Sequence, residues 1–206
     1  SSNMGPPSDG SSDVYLYDLE TGEYLLATAG LGSGNSYAPS ISEGGLAVAF
    51  QSEANDLVAT GTSGVTDLFY SAAYDAGGGA VAFDTYLVSR GLLGAAPNGA
   101  SQYASISGNG RYVAFESLAT NLVAGDTNGV SDIFVRDLVG GTTTRISVDS
   151  AGAQANDGSS NPSMSSDGLL VAFDSSATNL TVGDTNLSVD VFVRDRLASS
   201  FATLCD

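Results

Sequence analysis

One sequence motif, typical of a β-hairpin, occurs three times along this chain of 206 residues. It reads SISEGGLAVAF at 40–50, SISGNGRYVAF at 105–115 and SMSSDGLLVAF at 163–173. Each copy is followed by a polar, Gly-containing stretch and then by DLFY, DIFVRD or DVFVRD. The closing phenylalanines lie 65 and then 58 residues apart. Repeats of this length are typical of stacked units that cannot bury an apolar face alone. The chain is therefore expected to fold as a stack of similar units.

The copy at 103–148 reads as four short strands joined by turns. Ala104–Ser107 is an extended segment that ends in Gly-Asn-Gly, Arg111–Phe115 is rich in aromatic and β-branched residues, and the third and fourth strands are expected at 132–137 and 143–148. No window shows apolar residues at helical spacing. Four antiparallel strands that are apolar on both faces fit one blade of a β-propeller, packed between two other blades. An all-β propeller of four-stranded antiparallel blades is the predicted fold class.

The predicted strands add up to about three and a half blades per chain in a single domain, 1–206. The units are a half blade at 1–30 and blades at 37–91, 103–148 and 162–205. Propellers generally need about four to eight blades, and an unpaired strand edge invites pairing with another chain. The chain is therefore expected to associate with itself, in a ring shared by two copies or in a head-to-tail fibre. Two readings stay open beside these: a four-bladed monomer completed by residues 1–12, and a fragment of a longer propeller.

Composition excludes several classes of function. The formal net charge is −17, and the six positively charged residues are all arginine. Such a charge repels phosphate backbones, so no nucleic-acid partner is expected. The chain has no histidine and no lysine, which rules out His-dependent triads, His-ligated zinc and Schiff-base chemistry. No apolar run is long enough to span a membrane, and the one cysteine, Cys205, cannot form an internal disulfide. The Lys-free composition, rich in Gly, Ser, Thr, Asn and Asp, is associated with extracellular or periplasmic proteins.

The best-defined repeat carries a long motif. It reads P-S-x-S-x-D-G-x-x-V-A-F and then N-L-x-x-G-D-T-N-x-x-x-D-V-F-V-R-D within 162–195. This pattern resembles the TolB-like (WD40-like) β-propeller repeat. Residues 103–148 match nearly as well, whereas 37–75 match at the hairpin and lack the D-T-N loop. The resemblance implies the propeller fold. Members of this family range from periplasmic accessory proteins to lids on hydrolases, so the resemblance does not imply one function.

An acidic loop before the third strand is the candidate metal site. It occurs twice, as Asp126, Asn128 and Asp132 and as Asp184, Asn186 and Asp190. Oxygen side chains at alternate positions of a tight loop can hold Ca²⁺, so calcium is the one cofactor that the sequence suggests. The alternative is that Asp126 and Asn128 form Asx turns while Asp132 begins the strand or pairs with an arginine.

No residue set predicts catalysis. Serines are abundant but lack a His or Lys to activate them. The carboxylates Glu53, Glu116 and Asp174 are expected at corresponding places in different repeats, which favours a blade feature over an acid–base pair. Arg136 and Arg194 are expected to bridge to carboxylates of neighbouring blades. The predicted function is a secreted, non-enzymatic structural or interaction module. The alternative is a ligand- or glycan-binding propeller domain, or part of a larger hydrolase.

Overall fold

The computed structural model describes residues 10–28, 33–77, 80–197 and 201–203. These residues form fourteen β-strands and one short 3-10 turn at Leu92–Gly94. The strands are β1 Tyr15–Tyr17, β2 Tyr24–Leu26, β3 Ser36–Ile41, β4 Ala47–Ser52, β5 Asp67–Gly77, β6 Ala80–Leu87, β7 Ser101–Ile106, β8 Tyr112–Ser117, β9 Asp132–Asp137, β10 Thr142–Arg145, β11 Ser159–Met164, β12 Leu170–Ser175, β13 Asp190–Asp195 and β14 Phe201–Thr203.

The strands form four separate antiparallel sheets in which neighbours in sequence are neighbours in space. The half blade is β1–β2, the first blade β3–β6, the second blade β7–β10 and the third blade β11–β14. The prediction of four-stranded propeller blades is thus confirmed. The described part of the chain contains no α-helix, and therefore no helix long and apolar enough to cross a membrane.

The apolar core lies between the blades. In each blade one phenylalanine of the second strand pairs with one of the third, as Phe115 does with Phe134, and the ring centroids of that pair are 5.8 Å apart. This pair packs against the first blade, on Ala49 and Leu68. Phe173 and Phe192 pack in the same way on the second blade, and Phe50 and Phe69 on the half blade. Each repeat therefore buries its apolar side chains on the repeat before it, which explains why one unit cannot fold alone.

Each full blade carries one bulge at the same place on its first strand. The residues are Ala38, Tyr103 and Asn161, with φ of 49°, 55° and 54°. The pairing register with the second strand shifts beside each of them. A non-Gly residue in this left-handed region costs about 1–2 kcal/mol, and bulges re-aim a strand. The three bulges line a common cavity of about 320 Å³ together with the residues that follow them.

Candidate functional site

An aspartate begins the third strand and is bound by a hydroxyl group beyond the fourth. The Oγ of Ser147 donates to Oδ1 of Asp132 at 2.6 Å, and the N–H of Ile133 donates to that Oγ at 3.1 Å. The same pattern joins Ser89 to Asp67 in the first blade and Thr28 to Asp13 in the half blade. This repeated hydrogen bond fixes the loop that precedes the third strand.

In the second blade an arginine lies between the predicted calcium ligands. The Nη2 of Arg145 is 3.7 Å from Oδ2 of Asp126, and its Nη1 is 3.7 Å from Oδ2 of Asp132. Asn128 donates its amide to Oδ2 of Asp132 at 3.1 Å. The Asp126 side chain is 3% exposed, and Asp132 is fully buried. Burial raises the pKa of both carboxyl groups, and the Arg145 charge opposes that rise. Arg145 supplies here the positive charge that two buried carboxylates require.

The corresponding loop of the third blade lacks this arginine. Arg145 pairs with Phe134 across the second blade, and the residue that pairs with Phe192 is Thr203. Asn186 donates to Asp190 at 3.1 Å and accepts the N–H of Ser188 at 2.9 Å, which is an Asx-type turn. The two copies of the loop therefore share a backbone turn, and among the described residues only the copy in the second blade holds an arginine between its carboxylates.

Calcium binding at these loops stays a prediction. No group of three or more acidic, His or Cys side chains with metal-binding geometry occurs in the described ranges. If calcium binds, its addition will raise the melting temperature, a chelator will reverse the rise, and Asp190→Asn will remove the contribution of the third blade. No shift at millimolar Ca²⁺ would leave the hydrogen-bonded turns as the whole role of these loops.

Glu116 is a buried carboxylate on the second strand of the second blade. Gln102 donates to its Oε1 at 3.1 Å, and its Oε2 has no hydrogen-bond partner among the described residues. Burial raises the pKa of this carboxyl group. Asp174 occupies the equivalent place in the third blade, as expected from the sequence. The expectation for the first blade was wrong, because the equivalent residue there is Gln51, whereas Glu53 lies two positions later.

Replacing Glu116 by glutamine is expected to stabilise the protein at neutral pH by up to about 1 kcal/mol, because the variant buries no charge. The folded-state pKa of Glu116 lies above its ordinary value of 4.5. Below pH 4.5 the ionisation of Glu116 therefore does not reduce the free energy of unfolding of the native protein. This free energy falls as the pH rises from 4.5 through the raised pKa. The increase in the free energy of unfolding that Glu116→Gln produces should grow between pH 4.5 and 7, as measured by urea unfolding. The exposed Glu20→Gln is the control, and equal curves for both variants would contradict this prediction.

The expected bridge from Arg136 to a neighbouring blade is not found. Arg136 donates to Thr143 Oγ1 of its own blade at 3.1 Å. Its neighbour Asp137 instead pairs with Arg111, through contacts of 3.0 and 2.8 Å, and these hold the pKa of Asp137 well below its usual range. Arg194 approaches the carbonyl oxygen of Asp149 at 3.5 Å. The strand places Arg136 toward the groove between two blades, where no carboxylate of the described residues lies within ion-pair distance of it.

A set of buried serines was missed by the sequence analysis. A serine of the first strand bonds to one that ends the second strand in all three full blades, at 2.8–2.9 Å. The pairs are Ser36–Ser52, Ser101–Ser117 and Ser159–Ser175. The sequence does contain a signal for them, since these serines recur at fixed distances from the closing phenylalanines of the repeated motif. They tie strands together inside each blade, which gives them a structural role.

The described residues leave the outer face of the third blade uncovered. Ile133, just before Phe134, is 0% exposed because the third blade packs over it. Val191 occupies the equivalent place before Phe192 and is 45% exposed. At the other end of the stack, Tyr15 of β1 occupies the place that a phenylalanine has on the third strand of each full blade, and it is also partly exposed. In the described part of the chain, both ends of the stack thus present an apolar surface of the kind that a neighbouring blade covers inside the stack.

Several solved β-propeller structures are similar to this chain. TolB from Acinetobacter baumannii is 18% identical over 93% of this chain and 37% of that chain, with a TM-score of 0.48. The β-propeller domain of the Trilobed protease from Pyrococcus furiosus is 13% identical over 82% and 41%, with a TM-score of 0.44. An oligogalacturonate lyase in complex with manganese is 12% identical over 93% and 43%, with a TM-score of 0.49. No family model matches the chain, and no curated protein matches it.

The similar structures include TolB proteins, as the resemblance of the repeat predicted, and propellers that belong to enzymes. At these identities the likeness concerns the fold alone. The chain spans less than half of the length of these three proteins. It is a propeller module, and its blades by themselves do not distinguish an enzyme from a binding protein.

Proposed function

We propose that this chain is a non-enzymatic interaction module that associates with copies of itself through the blade surfaces its described residues leave uncovered. The observation that carries the proposal is the contrast between Val191 and Ile133 at equivalent places in adjacent blades. The equivalent apolar side chain is buried at each interface between adjacent blades, as Val14, Leu68 or Ile133, and it is exposed at the end of the stack. Exposed apolar surface of this kind commonly marks an interaction site.

A second copy is the partner that fits this face best. At the interfaces between adjacent blades, residues such as Ile133 are covered by the aromatic face of the next repeat. Tyr15 and Tyr17 of β1 offer the comparable aromatic face, and both are exposed. The two ends of the stack are therefore complementary in kind, as a head-to-tail contact requires.

The free edge of β1 supports the same proposal. Ala27 donates to the carbonyl of Val14, and Asp18 donates to that of Glu23, so alternate residues of β1 bond to β2. The backbone groups of Tyr15 and Tyr17 point to the other side, where no strand of the described residues pairs with them. An open edge of this kind favours pairing with another chain.

We place this module in an extracellular or periplasmic compartment, which fractionation of the natural source would test.

A charge on the uncovered face should block association. Val191→Glu is expected to convert an associated species into one of single-chain mass at micromolar concentration, because a carboxylate would be buried in the seam without a partner. Sedimentation velocity measures the change. Leu187→Glu adds the same charge to an exposed side chain outside the strand and should leave the mass unchanged.

The edge can be tested separately. Tyr17→Pro removes an N–H that points away from β2, whereas Tyr17→Thr removes the ring and keeps the N–H. If pairing along the β1 edge contributes to self-association, the Tyr17→Pro variant will dissociate at a higher protein concentration than the Tyr17→Thr variant. Unchanged association in Val191→Glu and in Tyr17→Pro would contradict the proposal.

A further inference from the structure

Three of the six arginines line one groove between the first and second blades. Arg90 follows β6, Arg111 precedes β8 and Arg136 lies on β9. The groove encloses a cavity of about 630 Å³, and a second cavity of about 520 Å³ continues it past Arg90 and Arg136. None of the residues that line either cavity is an aspartate or glutamate. In a chain of net charge −17, half of the positive side chains therefore converge at one place.

Two of these three charges are not neutralised. Arg111 forms a bidentate pair with Asp137. Within the described residues, Arg90 and Arg136 have no carboxylate at ion-pair distance. Arg136 is half-buried, and burial together with the charge of Arg90 lowers its pKa. Two neighbouring guanidinium groups that repel each other form a site of charge near +2, and an oxyanion of charge near −2 would relieve that repulsion.

The rest of the groove fits an organic group. Tyr70 and Tyr86 lie side by side on β5 and β6 with their ring centroids 6.4 Å apart, and Leu87 and Leu138 add apolar surface. The volume is in the range of small-molecule sites and well above that of an inorganic ion. Asp137 opposes part of the repulsion at Arg136, but this carboxylate is already held by its bidentate pair with Arg111.

We propose that this groove binds a phosphate monoester, with the phosphoryl dianion between Arg90 and Arg136 and the organic group against Tyr86. A phosphate monoester carries about −1.5 to −2 at pH 7, which matches the uncompensated charge, and its oxygens accept hydrogen bonds from guanidinium groups. The site lies between β5 and β6 of the first blade and β9 of the second, apart from the cavity where the three bulges meet. It is independent of the self-association proposed above, which uses the two ends of the stack.

Calorimetry with phenyl phosphate and phenyl sulfate tests the match of charge. The two probes have similar shapes, but the sulfate ester carries a single charge. At fixed ionic strength, phenyl phosphate is expected to bind one site per chain at least tenfold more tightly than phenyl sulfate. Inorganic phosphate is expected to bind more weakly than phenyl phosphate, since it has no group to place on Tyr86. Tyr86→Ala should weaken phenyl phosphate binding and leave inorganic phosphate unaffected.

Variants of the arginines locate the site. Arg136→Gln and Arg90→Gln should each weaken phenyl phosphate binding about tenfold or more, as expected for loss of a charge-assisted hydrogen bond. Arg90 forms no hydrogen bond or ion pair with other described residues, so Arg90→Gln is expected to fold normally. Arg196→Gln makes the same charge change outside the groove, where Arg196 stacks on Tyr112, and should bind as the native protein does. No binding at millimolar phenyl phosphate, equal affinity for both esters, or unchanged binding in both groove variants would overturn the proposal.

Discussion

Replacing Arg145 by leucine is expected to lower the free energy of unfolding by about 3–5 kcal/mol at pH 7, the usual cost of removing one partner from a buried ion pair. The reason is geometric. The guanidinium lies 3.7 Å from both Asp126 and Asp132, and the side chains of all three are buried. Without it, two carboxylates would share a site of low polarity with no counter-charge. Urea unfolding monitored by circular dichroism measures the loss.

The pH dependence of this loss identifies its cause. Burial already raises the pKa of Asp126 and Asp132, and loss of Arg145 removes the charge that opposes the rise. The folded variant would then bind more protons than the unfolded chain between the ordinary carboxyl pKa and the raised one. Its stability should therefore recover as the pH falls from 7 toward 4, while the native protein shows a smaller change. A loss that does not vary with pH would indicate a packing defect instead.

The first blade provides a matched control within the chain. At the positions of Arg145 and Asp126 it has Leu87 and Gly61, and it keeps the strand-entry aspartate as Asp67. The double variant Arg145→Leu with Asp126→Gly copies that arrangement. It should recover most of the stability lost in Arg145→Leu. If the double variant is as unstable as the single one, the account of charge compensation is wrong.

Replacing Phe115 by alanine is expected to cost about 3–5 kcal/mol, the range for deleting a large side chain from a packed core. Phe115 is fully buried against Phe134 and against Leu68 of the preceding blade. The cavity would open between two sheets, so the variant should weaken the docking of two blades as well as one blade itself. Thermal and urea unfolding measure the loss.

Phe83→Ala is the control for this prediction. It deletes the same atoms from a half-buried ring on β6, at the edge of another seam. Its cost should be less than half that of Phe115→Ala, because its surroundings are partly solvated. Equal costs would contradict the conclusion that the core of this protein lies between its blades.

The repeated parts of the fold were predictable from the sequence, because apolar runs and turn residues recur at a fixed spacing. β9 runs over the predicted Asp132–Asp137. The hairpin before it was placed less well, since β7 begins at Ser101 and β8 continues to Ser117. The reason is the bulge at Tyr103, whose positive φ shifts the register of the pair. A bulky aromatic residue gives no local signal of that conformation.

The functional features depend on contacts that one repeat does not contain. The role of Arg145 follows from its register on β10 and from a loop about twenty residues earlier, so sequence spacing alone could not choose it over calcium. The arginine groove draws Arg90 and Arg136 from two blades, 46 positions apart in the chain. The sequence predicted that Arg136 bridges to a neighbouring blade, because a strand pattern indicates which face a side chain occupies but not which group lies opposite it.

The mass of the unmodified chain in solution tests the central claim most directly. Light scattering coupled to size exclusion, over a range of micromolar concentrations, reports whether the uncovered face of the third blade and the free edge of β1 find a partner. The account predicts a mass of about 41 kDa or more, at least twice the 20.7 kDa of one chain, with dissociation on dilution. A mass of about 21 kDa at every concentration would contradict it.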